Sequence, residues 1–245
     1  MRPNVLSSVA MAEGYFANDE TRAERVRDLF DTIAPRYDLI NDLQSLWLHR
    51  HWKKRLISLA KPGPGQRALD LCCGTGDVAL ALAVRGVEVT GMDFSQPMLD
   101  RATARDEKQS VTFTQGDALN TELPDNHFDI VTIAYGLRNL ADFKAGLCEM
   151  HRVTKPGGRI LILDFGKPTF GLWRWMYFTY LKIAVPLFGK IFCRDAPAYA
   201  YIHESLEHYP AQEGVDAGLR ELNCRDRAIH KILGGAMTLN TAVKQ

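Results

Sequence analysis

The chain has 245 residues, of which 46% are hydrophobic, and its 30 basic and 29 acidic side chains give a net charge of +1. This size and composition predict one large domain with a buried core and exclude a fibrous or disordered protein. Because the charge is near zero and no dense block of Lys and Arg occurs, a nucleic-acid partner is not expected. Five cysteines without a C-x-x-C pair, and no apolar leader, predict a cytoplasmic protein.

The first 60 residues predict a helical N-terminal extension. The spacing of apolar residues predicts one helix over residues 21–30 and a second from about Ser45, with residues 37–41 between them. The aromatic and polar side chains of this stretch suit either a lid over a ligand or an amphipathic surface helix. A Pro- and Gly-rich connector over residues 61–65 separates this extension, residues 1–60, from a main domain, residues 61–245.

The main domain opens with an apolar run over residues 67–73 that breaks into a glycine turn and continues as a helical pattern. This order predicts a strand, a tight turn and a helix. Gly74 and Gly76 carry no Cβ and adopt positive φ easily, so a ligand can approach the backbone where the strand ends. The spacing also fits the dinucleotide fingerprint, so the turn alone leaves NAD and S-adenosylmethionine both open.

Acidic residues follow the next two predicted strands. Asp93 follows the strand over residues 87–92, where a carboxylate can accept hydrogen bonds from both hydroxyls of a ribose. The alternative role for Asp93 is to cap the following helix, but Ser95 already supplies that cap. Asp117 follows the strand over residues 111–115 and suits an adenine amino group, with a simple turn cap as the alternative. These positions favour S-adenosylmethionine. A reductase would place a Tyr-x-x-x-Lys pair after the fourth strand, and none is present there.

The rest of the chain continues the alternation of strands and helices. The patterns predict a strand over residues 128–135, a helix over 141–153, a turn at 155–158 and a strand over 159–165. After an aromatic insertion at about 170–202, they predict a helix over 213–222 and a hairpin formed by 224–231 and 236–243. The fold class is therefore α/β, a doubly wound Rossmann-like sheet with an N-terminal helical lid and a C-terminal antiparallel hairpin.

Four motifs carry a resemblance to a known family. They are Tyr37-Asp38-x-x-Asn41-x-x-x-Ser45-x-x-x-His49-x-x-Trp52, Asp70-Leu71-x-x-Gly74-Thr75-Gly76-Asp77, Gly136-Leu137-Arg138-Asn139 and Arg152-Val153-Thr154-Lys155-Pro156-Gly157-Gly158. From about Val26 onward the sequence resembles the menaquinone and ubiquinone biosynthesis C-methyltransferases. The resemblance implies a class I S-adenosylmethionine-dependent methyltransferase that methylates a ring carbon of a polyprenyl quinol. Another small aromatic molecule is the alternative substrate.

The resemblance also implies a cofactor site formed by Tyr37, Asp70, Gly74, Thr75, Gly76, Asp93, Asp117, Ala118 and Ala134. Gly74 and Thr75 would line the methionine portion, and Tyr37 would cover the cofactor from the lid. Ala134 would contribute only its backbone. Departures from the family pattern at Ile40, Gln44, Thr154 and Asn240 leave open which quinol is bound.

Catalysis is expected to centre on Arg138. Its fixed charge would favour a phenolate-like oxygen, and because a guanidinium is a poor base, the proton would pass through water or through Tyr135, Asn139 or His49. The alternative is a structural salt bridge from Arg138 to Asp70 or Asp38. Asp164 and His203 are further polar candidates. No metal is needed, because the methyl group is already electrophilic and the leaving thioether is neutral.

Residues 172–192 are too apolar for a plain surface loop. Three cations and Pro186 interrupt them, so a transmembrane helix is not expected. They form either a core helix or a segment that lines a passage for a polyprenyl tail and touches the inner face of the membrane. The oligomeric state, a homodimer included, stays open.

Overall fold

A computed structural model describes residues 22–184, 205–206 and 209–245. Its sheet has seven strands in the order β3-β2-β1-β4-β5-β7-β6, with the first five parallel and β7 antiparallel to both of its neighbours. The strands are β1 (Arg67–Leu71), β2 (Glu88–Asp93), β3 (Val111–Gln115), β4 (Phe128–Ala134), β5 (Thr154–Phe165), β6 (Arg225–Ile232) and β7 (Met237–Val243). The predicted doubly wound sheet and its antiparallel hairpin are confirmed.

Helices cover both faces of the sheet. They are α1 (Arg22–Ile33), α2 (Tyr37–Ser45), α3 (Leu48–Ala60), α4 (Asp77–Ala83), α5 (Gln96–Arg105), α6 (Phe143–Val153), α7 (Gly171–Thr179) and α8 (Ala211–Glu221). Side chains of β5 alternate between two cores: Ile160 and Ile162 pack with α6 and α8, whereas Leu161 and Leu163 pack with α3 and α4. A central strand that is buried on both faces needs this continuous apolar run.

Two predicted boundaries are wrong. Residues 37–41 belong to helix α2, because Pro35 lies in the first turn of a 3₁₀ segment (Ala34–Arg36), where its missing N–H is not needed. Strand β5 begins at Thr154 rather than at residue 159. The predicted turn at 155–158 is instead held in the strand, since Gly157 N–H donates to the Lys244 carbonyl (2.9 Å) and Lys244 N–H donates to the Gly158 carbonyl (3.0 Å).

The described part of the aromatic insertion is helical. Helix α7 continues into a wider π-type turn (Tyr180–Ala184), and the remainder of the insertion and His203 lie outside the described residues. The Tyr177 hydroxyl donates to the Ala236 carbonyl (3.0 Å), which fixes α7 to the start of β7. None of the helices in the described part of the chain combines the length and the apolar character needed to cross a bilayer.

Candidate active site

A first cavity of about 980 Å³ opens at the carboxyl ends of strands β1 to β4. Eight of the predicted site residues line it: Tyr37, Gly74, Asp93, Asp117, Ala118, Ala134, Tyr135 and Asn139. Four others do not line it: Asp70, Thr75, Gly76 and Arg138. This edge of an open parallel sheet is where such folds bind ligands.

Asp93 joins the glycine turn to the end of β2. Its Oδ2 accepts from Gly74 N–H (2.7 Å) and its Oδ1 from Ser95 N–H (2.9 Å). Burial raises the pKa of the Asp93 carboxyl, against the effect of these backbone donors. Each carboxylate oxygen has a second lone pair, so both oxygens can still accept a hydrogen bond from a ligand hydroxyl.

Gly74 leaves bare backbone on the wall of the first cavity, and Gly76 shapes the same turn without lining the cavity. Gly76 has a φ of 84°, and a Cβ there would lie 3.0 Å from the Phe113 ring, so a side chain would be both strained and obstructed. A Cβ on Gly74 would lie 3.7 Å from the ring of Tyr37. The tyrosine of α2 therefore lies directly over the turn.

Asp117 combines the two roles that the sequence left open. Its Oδ1 accepts from Leu119 N–H (2.8 Å), which closes a local turn, and the residue also lines the first cavity beside Ala118. A carboxylate that is fixed in this way suits a ligand with a hydrogen-bond donor. The bare turn, Asp93 and Asp117 together fit a nucleoside-containing cofactor.

Asp70 lies behind the turn rather than in the cavity. It is 1% exposed, and Thr132 Oγ1 donates to its Oδ1 at 2.7 Å. Burial raises the pKa of Asp70 to about 7. In the structure, Asp70 supports the strand from which the turn begins.

Thr75 anchors helix α2 to the glycine turn. Its hydroxyl donates to Asp38 Oδ1 (2.7 Å), and Arg105 Nη1 donates to Thr75 Oγ1 (2.9 Å) and to its carbonyl (2.8 Å). Asp38 thus has partners other than Arg138. The hydroxyl of Thr75 is used in this contact and does not face the first cavity.

Two more contacts hold the N-terminal helices in place. Lys53 Nζ of α3 donates to Asp77 Oδ2 (2.8 Å), and the Ser95 hydroxyl donates to Asp31 of α1. Although burial opposes it, the charges of Lys53 and Arg105 lower the pKa of Asp77 to about 2. The three N-terminal helices are therefore attached to the sheet domain by polar contacts next to the first cavity.

A second cavity, of about 1250 Å³, lies between α2, α3, α7 and the C-terminal hairpin. It shares Tyr37 and Tyr135 with the first cavity. Most of its other side chains are aromatic or aliphatic, and its polar side chains include Ser45, His49 and Arg138. Two cavities that meet at two tyrosines suit a reaction between two bound molecules.

Arg138 is paired with Asp164, not with Asp70 or Asp38 as the sequence suggested. Its Nη1 donates to Asp164 Oδ1 (2.8 Å) and to the Tyr135 carbonyl, and its backbone N–H donates to Asp164 Oδ2 (3.1 Å). The physical reason is sheet order: β5, which carries Asp164, lies beside β4. The guanidinium also lies 4.6 Å from the centre of the Phe165 ring, on the wall of the second cavity.

Tyr135 has an unusual backbone and a buried hydroxyl. Its φ is 63°, a left-handed conformation that is strained for a non-glycine residue. Its hydroxyl makes no hydrogen bond with the residues that the structure describes, and burial raises its pKa well above the ordinary value of 10. The Tyr135 hydroxyl therefore stays protonated and remains able to donate.

Sequence reasoning missed several residues of the site. Val26, Arg27 and Phe30 of α1 line the first cavity; helical periodicity predicted their helix but not the face it presents. Arg105 was not singled out, because a surface arginine near a helix end carries no local signal. Asp164 was a polar candidate, but its pairing with Arg138 depends on β5 lying beside β4.

The fold is that of the class I S-adenosylmethionine-dependent methyltransferases, and the first cavity lies where such a fold binds its ligand. The fold is similar to that of phosphoethanolamine N-methyltransferase 2 from Haemonchus contortus, solved in complex with S-adenosyl-L-methionine, with a TM-score of 0.65, 19% identity and coverage of 89% of this chain and 60% of that one. A possible histamine N-methyltransferase from Thermotoga maritima gives a TM-score of 0.64 at 17% identity and covers 90% of this chain and 100% of that one.

A narrower assignment comes from the sequence comparisons. The model of the ubiE/COQ5 methyltransferase family matches residues 18–244, and the chain belongs to that family. It is 40% identical over 233 residues to the ubiquinone/menaquinone biosynthesis C-methyltransferase UbiE of Ectopseudomonas mendocina, covering 92% of this chain and 91% of the relative. It is 34% identical over 233 residues to the demethylmenaquinone methyltransferase of Staphylococcus epidermidis, covering 94% of this chain and 97% of the relative. The family predicted from the motifs is confirmed.

Proposed function

We propose that this enzyme transfers a methyl group from S-adenosylmethionine to a ring carbon of a polyprenyl quinol, in menaquinone or ubiquinone biosynthesis. The observation that carries the proposal is the pair of cavities that meet at Tyr37 and Tyr135. One has carboxylates at strand ends and bare backbone, and the other has aromatic and aliphatic walls. The names of the relatives, which are quinone-biosynthesis methyltransferases, agree with this division.

The first cavity would hold S-adenosylmethionine, which supplies an electrophilic methyl group with a neutral thioether as leaving group. Asp93 would accept from the ribose hydroxyls and Asp117, beside Ala118, from the adenine amino group. The backbone at Gly74 would lie against the methionine portion. Asp70, Thr75 and Gly76 would act indirectly, by fixing the shape of the turn.

The second cavity would hold the quinol ring and the start of its tail. Arg138 is held in one orientation by Asp164, so its charge faces a developing phenolate without having to reorganise. The protonated hydroxyl of Tyr135 is a second donor for a ring oxygen of the quinol. Asn139 Nδ2 donates to the backbone carbonyl of Tyr135 (3.2 Å) and helps to hold this residue in place. Positioning of two reactants in this way can supply about 7–11 kcal/mol of barrier reduction.

The N-terminal helices α1 to α3 would serve as the lid. Tyr37 separates the cavities, and its helix is fixed to the glycine turn through Asp38, Thr75 and Arg105. A lid that is tied to the cofactor turn would exclude water from the methyl group once both molecules are bound.

Exposed apolar side chains around the second cavity support contact with a membrane surface. Trp175 and Ile183 of the insertion are 65% and 62% exposed, and Trp47 in the turn between α2 and α3 is 55% exposed. The hydroxyl of Tyr180 donates to the Gln44 carbonyl (3.3 Å), which joins these two segments. Arg174 and Lys182 are exposed on the insertion, and each basic residue near an anionic surface contributes roughly 1 kcal/mol of attraction. We place the enzyme in the cytoplasm, in peripheral contact with the inner membrane.

The proposed function is tested in a strain that lacks the gene. Mass spectrometry should show quinones lacking a single ring methyl, and expression of the wild-type chain should restore it. Accumulation of unmethylated menaquinone precursors, ubiquinone precursors or both would identify the substrate. An unchanged quinone profile would exclude the proposed substrate class and favour another small aromatic molecule.

A further inference from the structure

His49 occupies a buried position in the second cavity. It is 6% exposed and lines the cavity together with Ser45, Arg138 and Tyr135. Its Nδ1 lies 2.7 Å from Ser45 Oγ, one helical turn earlier. The protonation state of this imidazole follows from the hydrogen bonds of Ser45.

Ser45 has one hydroxyl proton and two close partners. Its Oγ lies 2.6 Å from the Asn41 carbonyl, which can only accept, so the proton must be donated to that carbonyl. The Oγ then acts as an acceptor, and His49 Nδ1–H and His49 N–H (3.3 Å) both donate to it. The proton of neutral His49 therefore lies on Nδ1, and Nε2 carries the lone pair.

The surroundings of Nε2 favour a base that is neutral at rest. Nε2 makes no hydrogen bond with a described residue; Asp42 Oδ1 lies 3.8 Å away and is already bound to Arg50 Nε (2.8 Å). Burial lowers the pKa of His49 below the ordinary value of 6.5, assisted by the charge of Lys53. The carboxylate of Asp42 would nevertheless stabilise an imidazolium once it forms.

We propose that His49 is the catalytic base that takes the ring-hydroxyl proton of the quinol, an inference that rests on the function proposed above. The hydroxyl proton passes to Nε2, and the electron pair left on oxygen moves into the ring. The ring carbon bonds to the methyl group while the methyl–sulfur bond breaks, with its electron pair passing to sulfur. The methylated carbon then loses its hydrogen to water as a proton, which restores the aromatic ring, and the imidazolium returns its proton to the ring oxygen. One proton is released overall.

Ser45 is a positioning residue in this scheme, since it fixes the tautomer of His49.

Other ionisable groups also surround His49 and contribute to the pH dependence of the rate. Within the described part of the chain they are Asp42 from α2, Arg50 and Lys53 from α3, Asp77 from α4, the Arg138–Asp164 pair, and Tyr37, Tyr135, Tyr177 and Tyr180 across the cavity.

The test compares His49→Gln with a matched control, His51→Gln, an exposed histidine on the same helix. His49→Gln should lower kcat by about 10²- to 10⁴-fold, the range for loss of general base catalysis. Calorimetric affinity for S-adenosylmethionine should stay within threefold of wild type, because His49 does not line the first cavity. His51→Gln should behave as wild type. Because burial lowers the pKa of His49 from its ordinary value, wild-type kcat should fall only on the acid side of that ordinary value, and this limb should be absent in His49→Gln.

Two further measurements separate a base from a structural histidine. Ring-fluorinated quinols ionise more easily, so the deficit of His49→Gln should shrink as the hydroxyl pKa of the substrate falls. Nitrogen-15 NMR of the wild-type enzyme should show His49 protonated on Nδ1, which is a readout independent of activity and of whether the variant folds.

An Nε2-protonated tautomer would overturn the proposal, as would a His49→Gln variant with wild-type kcat or with a deficit that does not depend on substrate pKa. If wild-type enzyme methylates no quinol, the proposed function itself fails. The two failures are therefore distinguishable.

Discussion

Truncation of Arg138 to Ala should destabilise the whole enzyme, because it leaves a buried carboxylate without its cation. Both side chains of the Arg138–Asp164 pair are 2% exposed, and their atoms are 2.8 Å apart. Removal of one partner of a buried pair costs about 3–5 kcal/mol. In a chain of this length 1 kcal/mol corresponds to about 2–4 °C, so Tm should fall by roughly 6–20 °C.

Urea unfolding and calorimetry at pH 7 measure this loss directly. The double variant Arg138→Ala/Asp164→Asn removes both charges, so it should be less destabilised than the sum of its single variants. A single Arg138→Ala variant within about 1 kcal/mol of wild type, the size of an exposed ion pair, would refute the buried-pair reasoning. So would a double variant whose loss equals that sum.

Three further predictions concern the cofactor cavity, the sheet and the insertion. Asp93→Ala should weaken S-adenosylmethionine binding by about 1.5–3 kcal/mol, the range for a hydrogen bond to a charged group, and unchanged affinity by calorimetry would contradict its assignment. Asp70 has a folded pKa of about 7 against an ordinary value of 3.8, so the folded protein binds this proton between those pH values and the unfolded chain does not. The Asp70 contribution therefore lowers the free energy of unfolding as the pH rises from about 3.8 to about 7. The Asp70→Asn variant should lack this contribution, so the free energy of unfolding from urea titrations should fall less steeply with pH than in wild type. An identical dependence on pH in the two proteins would refute the raised pKa of Asp70. Replacement of Trp47, Trp175 and Ile183 by Ser should reduce binding to anionic vesicles and activity on long-tailed quinols, while a tail-less quinol is still methylated. Equal loss of activity on both quinols would contradict membrane contact, as would wild-type protein that does not bind vesicles at low salt.

Trp47, Trp175 and Ile183 are chosen for the membrane test because the structure shows that their side chains are exposed. The apolar pattern of residues 172–192 does not distinguish Trp173, Trp175 and Phe178 from one another. Trp173 instead donates to the Leu233 carbonyl (2.9 Å), and Phe178 packs against the core. Only Trp175 among them is an exposed residue. Trp173, two positions earlier, points to the opposite side of the helix.

The sheet and the strand-end residues could be predicted because they follow from local patterns. A buried parallel strand needs a run such as that of β1, and Asp93 and Asp117 come directly after such runs. Chain order and the rule that parallel strands end on one edge then bring both residues to one cavity. The family was predicted separately, from the resemblance of the four motifs to those of a known family.

Pairings across the sheet could not be predicted in the same way. Arg138 could pair with any acidic residue at the edge, and the choice of Asp164 depends on β5 lying beside β4. The anchoring of Thr75 by Asp38 likewise depends on the helical state of residues 37–45, whereas the apolar spacing predicted that residues 37–41 lie between two helices. The second cavity, which His49 lines, is formed in part by α7, which is remote in sequence.

Transfer of an isotopically labelled methyl group tests the central claim most directly. Purified enzyme is incubated with S-adenosylmethionine carrying a ¹³C-methyl group and with a quinol that lacks one ring methyl, and the product is examined by NMR and mass spectrometry. We expect the label on a ring carbon, with one ring hydrogen lost. A label on a ring oxygen, or no labelled quinol while S-adenosylmethionine binds normally, would contradict the assignment as a quinol C-methyltransferase.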